Sequence, residues 1–245
     1  MTKISVLRSE GTGRFVFVCD HASNRIPPEL NDLGLPECEL ARHIAWDIGA
    51  AGITEVLSGL FDSPAILATT SRLVIDCNRH LDAPGLIPEI SDRVAIPGNR
   101  HLAAADRIFR IARWFQPYHE AIEGVLADRE ARGLESIPVS VHSMTDCLAG
   151  VFRPWQIALS SNVDRRLTDA MLVALRAQNE AVIGDNQPYD LDPRVDYTIP
   201  IHAMRRGLPH LQVEFRQDEI TEPASQRKWA ARFAECLSYA AGTLR

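Results

Sequence analysis

Short apolar runs alternate with helix-patterned stretches along this chain, and that order constrains the fold more than any other feature. Residues 14–19, 65–69, 72–77, 137–141, 155–160 and 210–215 are rich in β-branched or aromatic residues, which suits strands covered on both faces. Helices are predicted between them. The segment 38–58 carries Leu40, Ile44, Ile48 and Ala51 at helical spacing, and 100–132, 163–179 and 223–243 read as further long helices. The interleaving predicts one α/β domain over residues 1–245, built on a mostly parallel sheet. At 245 residues and 46% hydrophobic the chain can bury a full core, and no repeat, low-complexity tract or linker divides it. The Pro/Gly-rich stretches 80–100 and 184–209 read as long irregular excursions, which in a compact domain usually serve function.

Charge and cysteine usage narrow the function classes. The net charge of −6 supplies no clustered positive surface, so a nucleic-acid partner is not expected. Arg165-Arg166 and Arg205-Arg206 read as solvated helix faces. Cys19, Cys38, Cys77, Cys147 and Cys236 are odd in number without CxxC spacing, which predicts reduced thiols in a cytoplasm rather than disulfides or a cysteine zinc knuckle. Met1-Thr2-Lys3-Ile4-Ser5-Val6 runs straight into charged and glycine residues, and no apolar stretch approaches the roughly 18 residues that span a bilayer. Neither a leader nor a membrane partner is expected.

In open α/β sheets the ligand sits beyond the carboxyl ends of the strands. Those positions are polar here: Asp20-His21-Ala22-Ser23-Asn24 follows the first run and Asp76-Cys77-Asn78-Arg79-His80 the third. His142-Ser143 ends a fourth, and Glu214 and Arg216 lie near the end of the last. Neutral imidazole and carboxylate bind zinc well, and a hydrolytic site keeps three protein ligands and one open position. His21 and His142 supply two. For the third, Asp47 falls on or beside the apolar face of the predicted helix, and Asn24 is the poorer alternative because its donor is an amide oxygen. His43, one turn before Asp47, could orient that carboxylate. Plainer readings stand beside these. A strand-end histidine can be structural, Asp47 can pair with Arg25 or Arg72, and Glu214 can pair with Arg72, Arg79 or Arg216. Asp76-Cys77-Asn78-Arg79 can be a capped turn. HExxH, Gly-x-Ser-x-Gly and nucleotide-binding glycine loops do not occur.

Five ordered blocks carry a resemblance: Cys19-Asp20-His21-Ala22-Ser23-Asn24-Arg25-Ile26-Pro27, His43-Ile44-Ala45-Trp46-Asp47-Ile48-Gly49-Ala50, Ser71-Arg72-Leu73-Val74-Ile75-Asp76-Cys77-Asn78-Arg79, Val141-His142-Ser143 and Val213-Glu214-Phe215-Arg216-Gln217-Asp218. Together they resemble the N-formylglutamate amidohydrolase family. That family is similar in fold to zinc carboxypeptidases and the aspartoacylase group, which implies a three-layer α/β/α sandwich around a mixed, largely parallel sheet with a metal at the strand ends. The resemblance implies His21 and His142 as metal ligands, Asn78 and Arg79 as the grip on a substrate carboxylate, and Glu214 as general base. Position 24 departs from the wider group, having Asn where those relatives have Glu, which gives Asp47 its importance. The implied activity is divalent-metal-dependent hydrolysis of a small N-acyl amino acid, with zinc as the metal and N-formyl-L-glutamate as the substrate. Arg72 would hold a second carboxylate or the developing oxyanion, and Tyr189, otherwise part of a plain turn, would cover the substrate. Two other readings share these residues: a related N-acyl amino acid hydrolase or carboxypeptidase-like enzyme, and a metal-free dicarboxylate binder.

Overall fold

Alternating side chains on a few short strands decide which layer each part of the chain joins. The computed structural model describes residues 4–244; residues 1–3 and 245, the outermost part of the range 1–245 and of the N-terminal segment read above, lie outside the described residues. Strands β1 (Ser5–Leu7), β2 (Phe15–Cys19), β3 (Ala65–Leu67), β6 (Ile137–Met144), β9 (Ile157–Ser160), β10 (Ile183–Asp185) and β11 (Leu211–Arg216) form one sheet. Its order is β1-β3-β2-β6-β11-β9-β10. The four central strands β3, β2, β6 and β11 are parallel, β1 and β9 join antiparallel, and β10 runs parallel to β9. Two small hairpins, β4 (Ile90–Ser91) with β5 (Val94–Ala95) and β7 (Cys147–Leu148) with β8 (Val151–Phe152), lie outside it.

Phe15, Phe17 and Cys19 of β2 point to one face of the sheet. With Ile137, Val139, Val141, Leu211, Val213 and Phe215 they pack against helices α2 (Ala50–Phe61), α5 (Arg166–Ala177) and α7 (Pro223–Gly242). Val16 and Val18 point the other way, onto Tyr118, Ile122 and Leu126 of α4 (Gln116–Ala131). This period of two gives the α/β/α layering expected from the sequence. The excursions beyond the strand ends hold a smaller core of their own, in which Ile26, Ile44, Leu73, Ile75, Leu86 and Phe115 meet.

Several boundaries differ from those expected. The helix predicted over 38–58 is split into α1 (Glu37–Leu40) and α2, with a turned segment between them. Gly49 ends that segment at φ +81°, and a Cβ there would collide with the carbonyl oxygen of Ile220. The run 72–77 is buried but is not a strand. Ser71 Oγ accepts from the Leu73 N–H, its carbonyl accepts from the Val74 N–H, and Asp76 Oδ1 accepts from the Asn78 N–H, so local bonds replace a sheet ladder. The helix expected over 100–132 divides into α3 (Ala104–Arg110), a wide π-type turn (Ile111–Phe115) and α4. His142 lies within β6, which runs on to Met144, instead of ending it. The double arginines behave as solvated faces: Arg165 pairs with Asp169 and Asp185, Arg166 with Asp164, and Arg206 with Glu123. No helix among the described residues is long and apolar enough to cross a membrane.

One packing detail sets an acid limit on the fold. His119 of α4 lies with Nε2 2.9 Å from the Cys77 carbonyl, which can only accept, so Nε2 is the donor. Its Nδ1 then accepts from His202 Nε2 at 3.0 Å, where His202 ends α6 (Thr198–His202). Burial, reinforced by His202, pushes the His119 pKa down to about 3. The folded state therefore holds fewer protons than the unfolded chain between about pH 6.5 and 3, and stability falls as pH drops through that window. Urea unfolding of wild type and His119→Gln at pH 7.5 and 5.5 should show the wild-type advantage shrinking with acid, at no more than about 1.4 kcal/mol per pH unit. Parallel pH dependence of the two proteins would remove His119 as the cause.

Candidate active site

The carboxyl ends of β3, β2, β6 and β11 share one edge of the sheet, and the polar residues converge there. His21 sits two residues past β2. On β6 and β11, Val139, Val141, Leu211 and Val213 face the large core, so Ser140, His142, Gln212 and Glu214 share the opposite face. Pairing puts Glu214 directly beside His142 and Gln212 beside Ser140. Asp47 comes from the turned segment before α2. Its N–H donates to the His21 carbonyl at 2.9 Å, and the Arg72 N–H and Ser71 Oγ both donate to the Ala45 carbonyl, stitching three loops together.

His21, Asp47 and His142 each present a donor atom within 4.8 Å of the others. Asp47 Oδ2 lies 3.3 Å from His21 Nδ1 and 2.9 Å from His142 Nδ1. The far nitrogen of each ring is held by its own partner. His21 Nε2 meets Asp76 Oδ1 at 2.7 Å, and His142 Nε2 meets Ser140 Oγ at 2.9 Å and Asp20 Oδ2 at 3.3 Å. Asp20 is fixed in turn by hydroxyl donors, Tyr118 at 2.9 Å and Thr198 at 2.7 Å. Carboxylates on both Nε2 positions favour the tautomer that leaves each Nδ1 lone pair free for a metal. Arg72 donates to Asp47 Oδ1 at 3.3 Å and to Asp76 Oδ2 at 2.7 Å. Asp20, Asp47 and Asp76 outnumber Arg72, and the excess negative charge is of the sign that a divalent cation between neutral imidazoles would offset. The donor set and its charge both fit such an ion.

These residues border a cavity of about 300 Å³ that Glu214, Arg72, Asn78, Arg79, Arg153 and Tyr189 also line. A volume of this order suits a small molecule rather than a polymer segment. Comparison with known proteins now decides the family: the N-formylglutamate amidohydrolase model matches residues 13–221. The chain belongs to that family. It is accordingly an amidohydrolase. The crystal structure of a gene product from Agrobacterium tumefaciens is 33% identical, with a TM-score of 0.95 over 98% of this chain and 95% of that one. An N-formylglutamate amidohydrolase from Ralstonia eutropha is 18% identical, with a TM-score of 0.69 and 100% of both chains covered, a likeness of fold. No curated protein matches the chain.

Burial dominates the electrostatics of this amidohydrolase site, and the neighbours decide the signs. Burial alone would raise the Asp47 pKa, but His21 and His142 hold it far below the usual carboxylate range. Burial opposes protonation of His142 as well, and its bonds to Asp20 and Asp47 outweigh it, raising the pKa. Glu214 has no such partner. Burial pushes its pKa up to about 7 against the pull of His142. Burial, with Asp47 and Asp20 nearby, also pushes the Cys19 thiol well up, so that thiol is not an activated nucleophile.

The structure separates some of the expected residues from the cluster. Asn24 turns away: its Nδ2 donates to the Leu40 carbonyl at 3.0 Å. His43 does not orient Asp47; its Nε2 lies 3.4 Å from Asp92 Oδ2. Asp47 reaches the cluster with His21 and His142 from a loop, so the helical-face argument for it fails. The plain pairing of Asp47 with Arg72 exists together with the triad. Asn78 borders the cavity, but Oδ1 accepts from the Tyr197 and Thr198 N–H groups and Nδ2 donates to Asp196, leaving one amide N–H uncommitted. Sequence reasoning missed the holding roles of Asp20 and Asp76 and passed over Arg153. The alternation in Val139-Ser140-Val141-His142 and Leu211-Gln212-Val213-Glu214 was the available signal that those polar residues share a face.

Proposed function

We propose that this amidohydrolase cleaves a small N-acyl amino acid in a metal-dependent reaction, with N-formyl-L-glutamate as substrate and formate and L-glutamate as products. The observation that carries the reading is the convergence of His21, Asp47 and His142 beside Glu214 in one cavity with Arg72 and Arg79. His21, Asp47 and His142 would hold the ion, and two imidazoles with one carboxylate are a zinc donor set. When bound, such an ion supplies Lewis acidity toward the acyl oxygen and makes water more acidic.

Glu214 takes a proton from the attacking water and returns it to the departing amine. A carboxyl whose pKa is near neutrality suits both transfers. Arg72 keeps two N–H groups beyond those bound to Asp47 and Asp76, and these meet the developing oxyanion. Arg79 Nη1 is bound to the Asn78 carbonyl and Asp196, leaving Nε and Nη2 for the substrate α-carboxylate. Asn78 acts mainly by holding the 196–198 backbone against Arg79, and Tyr189 covers the substrate at the cavity mouth.

Release of the free amino acid should be measured with N-formyl, N-acetyl and N-succinyl amino acids, adding zinc, manganese and cobalt in turn. The expected result is turnover of N-formylglutamate that chelation abolishes and a divalent ion restores. A protein that binds no stoichiometric divalent ion and hydrolyses none of these amides would overturn the proposal.

A further inference from the structure

Among the described residues three arginines are buried, and two of them donate three or four hydrogen bonds each. Arg110 donates to Asn99 Oδ1 and to the carbonyls of Val74 and Gly98. Arg129 donates to Ser136 Oγ and the carbonyls of Gly11, Gly13 and Glu135. The third is Arg153, 7% exposed, which follows the β7/β8 hairpin and borders the active-site cavity. Its guanidinium makes one side-chain hydrogen bond, from Nη2 to the Tyr189 hydroxyl at 2.6 Å, and lies 4.9 Å from the centre of the Tyr189 ring. Among the described residues no carboxylate oxygen comes within 4.0 Å of its nitrogens. A guanidinium has five N–H groups, and burying it without an anion is unfavourable. The other cavity arginines are committed, Arg72 to Asp47 and Asp76 and Arg79 to Asp196. Arg153 therefore brings the cavity a guanidinium that no carboxylate pairs with directly.

The position is also rigid. The Arg153 N–H donates to the Asp146 carbonyl at 2.7 Å, and Arg216, itself paired with Asp218 and Glu219, holds the Arg153 and Pro154 carbonyls. Ser160 Oγ of β9 donates to the Tyr189 carbonyl at 2.9 Å, fixing the other half of the pair. A fork-shaped donor held in place before the ligand arrives loses little entropy on binding.

We propose that Arg153, backed by Tyr189, determines specificity by binding the side-chain carboxylate of a dicarboxylic N-acyl amino acid while Arg79 holds the α-carboxylate. The assignment rests on the hydrolase reading above, and it moves the second carboxylate from Arg72 to a residue without an acidic partner. A neutral isostere such as a side-chain amide leaves that guanidinium without a paired carboxylate, so the site discriminates acid from amide.

The test compares kcat/KM for N-formyl-L-glutamate and N-formyl-L-glutamine in wild type, Arg153→Gln and Arg153→Lys, with calorimetric binding of glutarate to each protein. Wild type should prefer the acid, and R153Q should lower the acid-to-amide ratio about 100-fold, the scale of a buried charge-assisted contact. R153K, keeping charge without the fork, should fall between them, and it carries the comparison if R153Q does not fold. Glutarate affinity should drop at least about 10-fold in R153Q. A wild type without preference, an equal loss on both substrates, or unchanged glutarate affinity would overturn the role of Arg153. If wild type cleaves neither amide, the hydrolase reading fails and glutarate binding alone judges Arg153.

Discussion

Glu214→Gln is expected to lower kcat by about 10³-fold while metal content stays at the wild-type level, because proton transfer by a positioned side chain contributes on the order of 10²–10⁴. The change is nearly isosteric, in a strand where Val213 and Phe215 anchor the backbone in the core. Glu214 stands outside the His21, Asp47 and His142 donor set, so its amide should leave ion binding intact. A second readout separates lost chemistry from lost structure. Burial raises the Glu214 pKa above its unfolded value, so the stability linked to its protonated form is present below about pH 4.5 and is lost as pH rises through about 7. The glutamine variant has no proton to lose there. Metal-free E214Q should therefore melt above metal-free wild type at pH 8, with the two converging toward pH 4.5. A variant that loses activity together with metal content or thermal stability would assign Glu214 to structure, and one with undiminished turnover would remove it from the mechanism.

The second large effect concerns the ion itself. Asp47→Asn and His142→Ala should each weaken zinc affinity by more than the roughly 10- to 100-fold typical of losing a partner that only orients a ligand. Asn24→Ala should change it far less, since the Asn24 amide is engaged with the Leu40 carbonyl. Competition with a chromophoric chelator gives the dissociation constants, and thermal melting gives an independent check. Ligand that binds only the folded state raises stability by RT ln(1 + [L]/Kd), so zinc should raise the wild-type melting temperature and leave D47N and H142A nearly unmoved. Asp47 also accepts from Arg72 and from the Ser143 N–H at 3.2 Å, so the apo variants are expected to melt lower than apo wild type. A ranking in which N24A loses more affinity than D47N would displace Asp47 from the donor set.

The polar residues after the strands were legible because a parallel sheet must deliver its strand ends to one edge. His21, His142 and Glu214 could be picked out on that basis alone, and five ordered blocks tied them to a family. Asp47 was singled out on a helical spacing that the fold does not keep. Its i, i+3 and i, i+7 spacing from Ile44 and Leu40 falls in the turned segment between α1, which stops at Leu40, and Gly49, so its carboxylate arrives on a loop. The run 72–77 misled in the opposite direction: apolar residues buried in a loop core look like a strand, because burial and not hydrogen bonding sets their composition.

Local pattern fixed the α/β class, the existence of the central strands and the chemistry available at their ends, since hydrophobic period and turn residues are properties of neighbours in the chain. Partnership was decided only in three dimensions. That Asp76 serves His21, that Asp20 serves His142, that Asn24 is spent elsewhere and that Arg153 lacks a carboxylate depend on groups 16 to 122 positions apart meeting or failing to meet. Charge compensation in a buried site follows distances in space, and sequence spacing does not encode them.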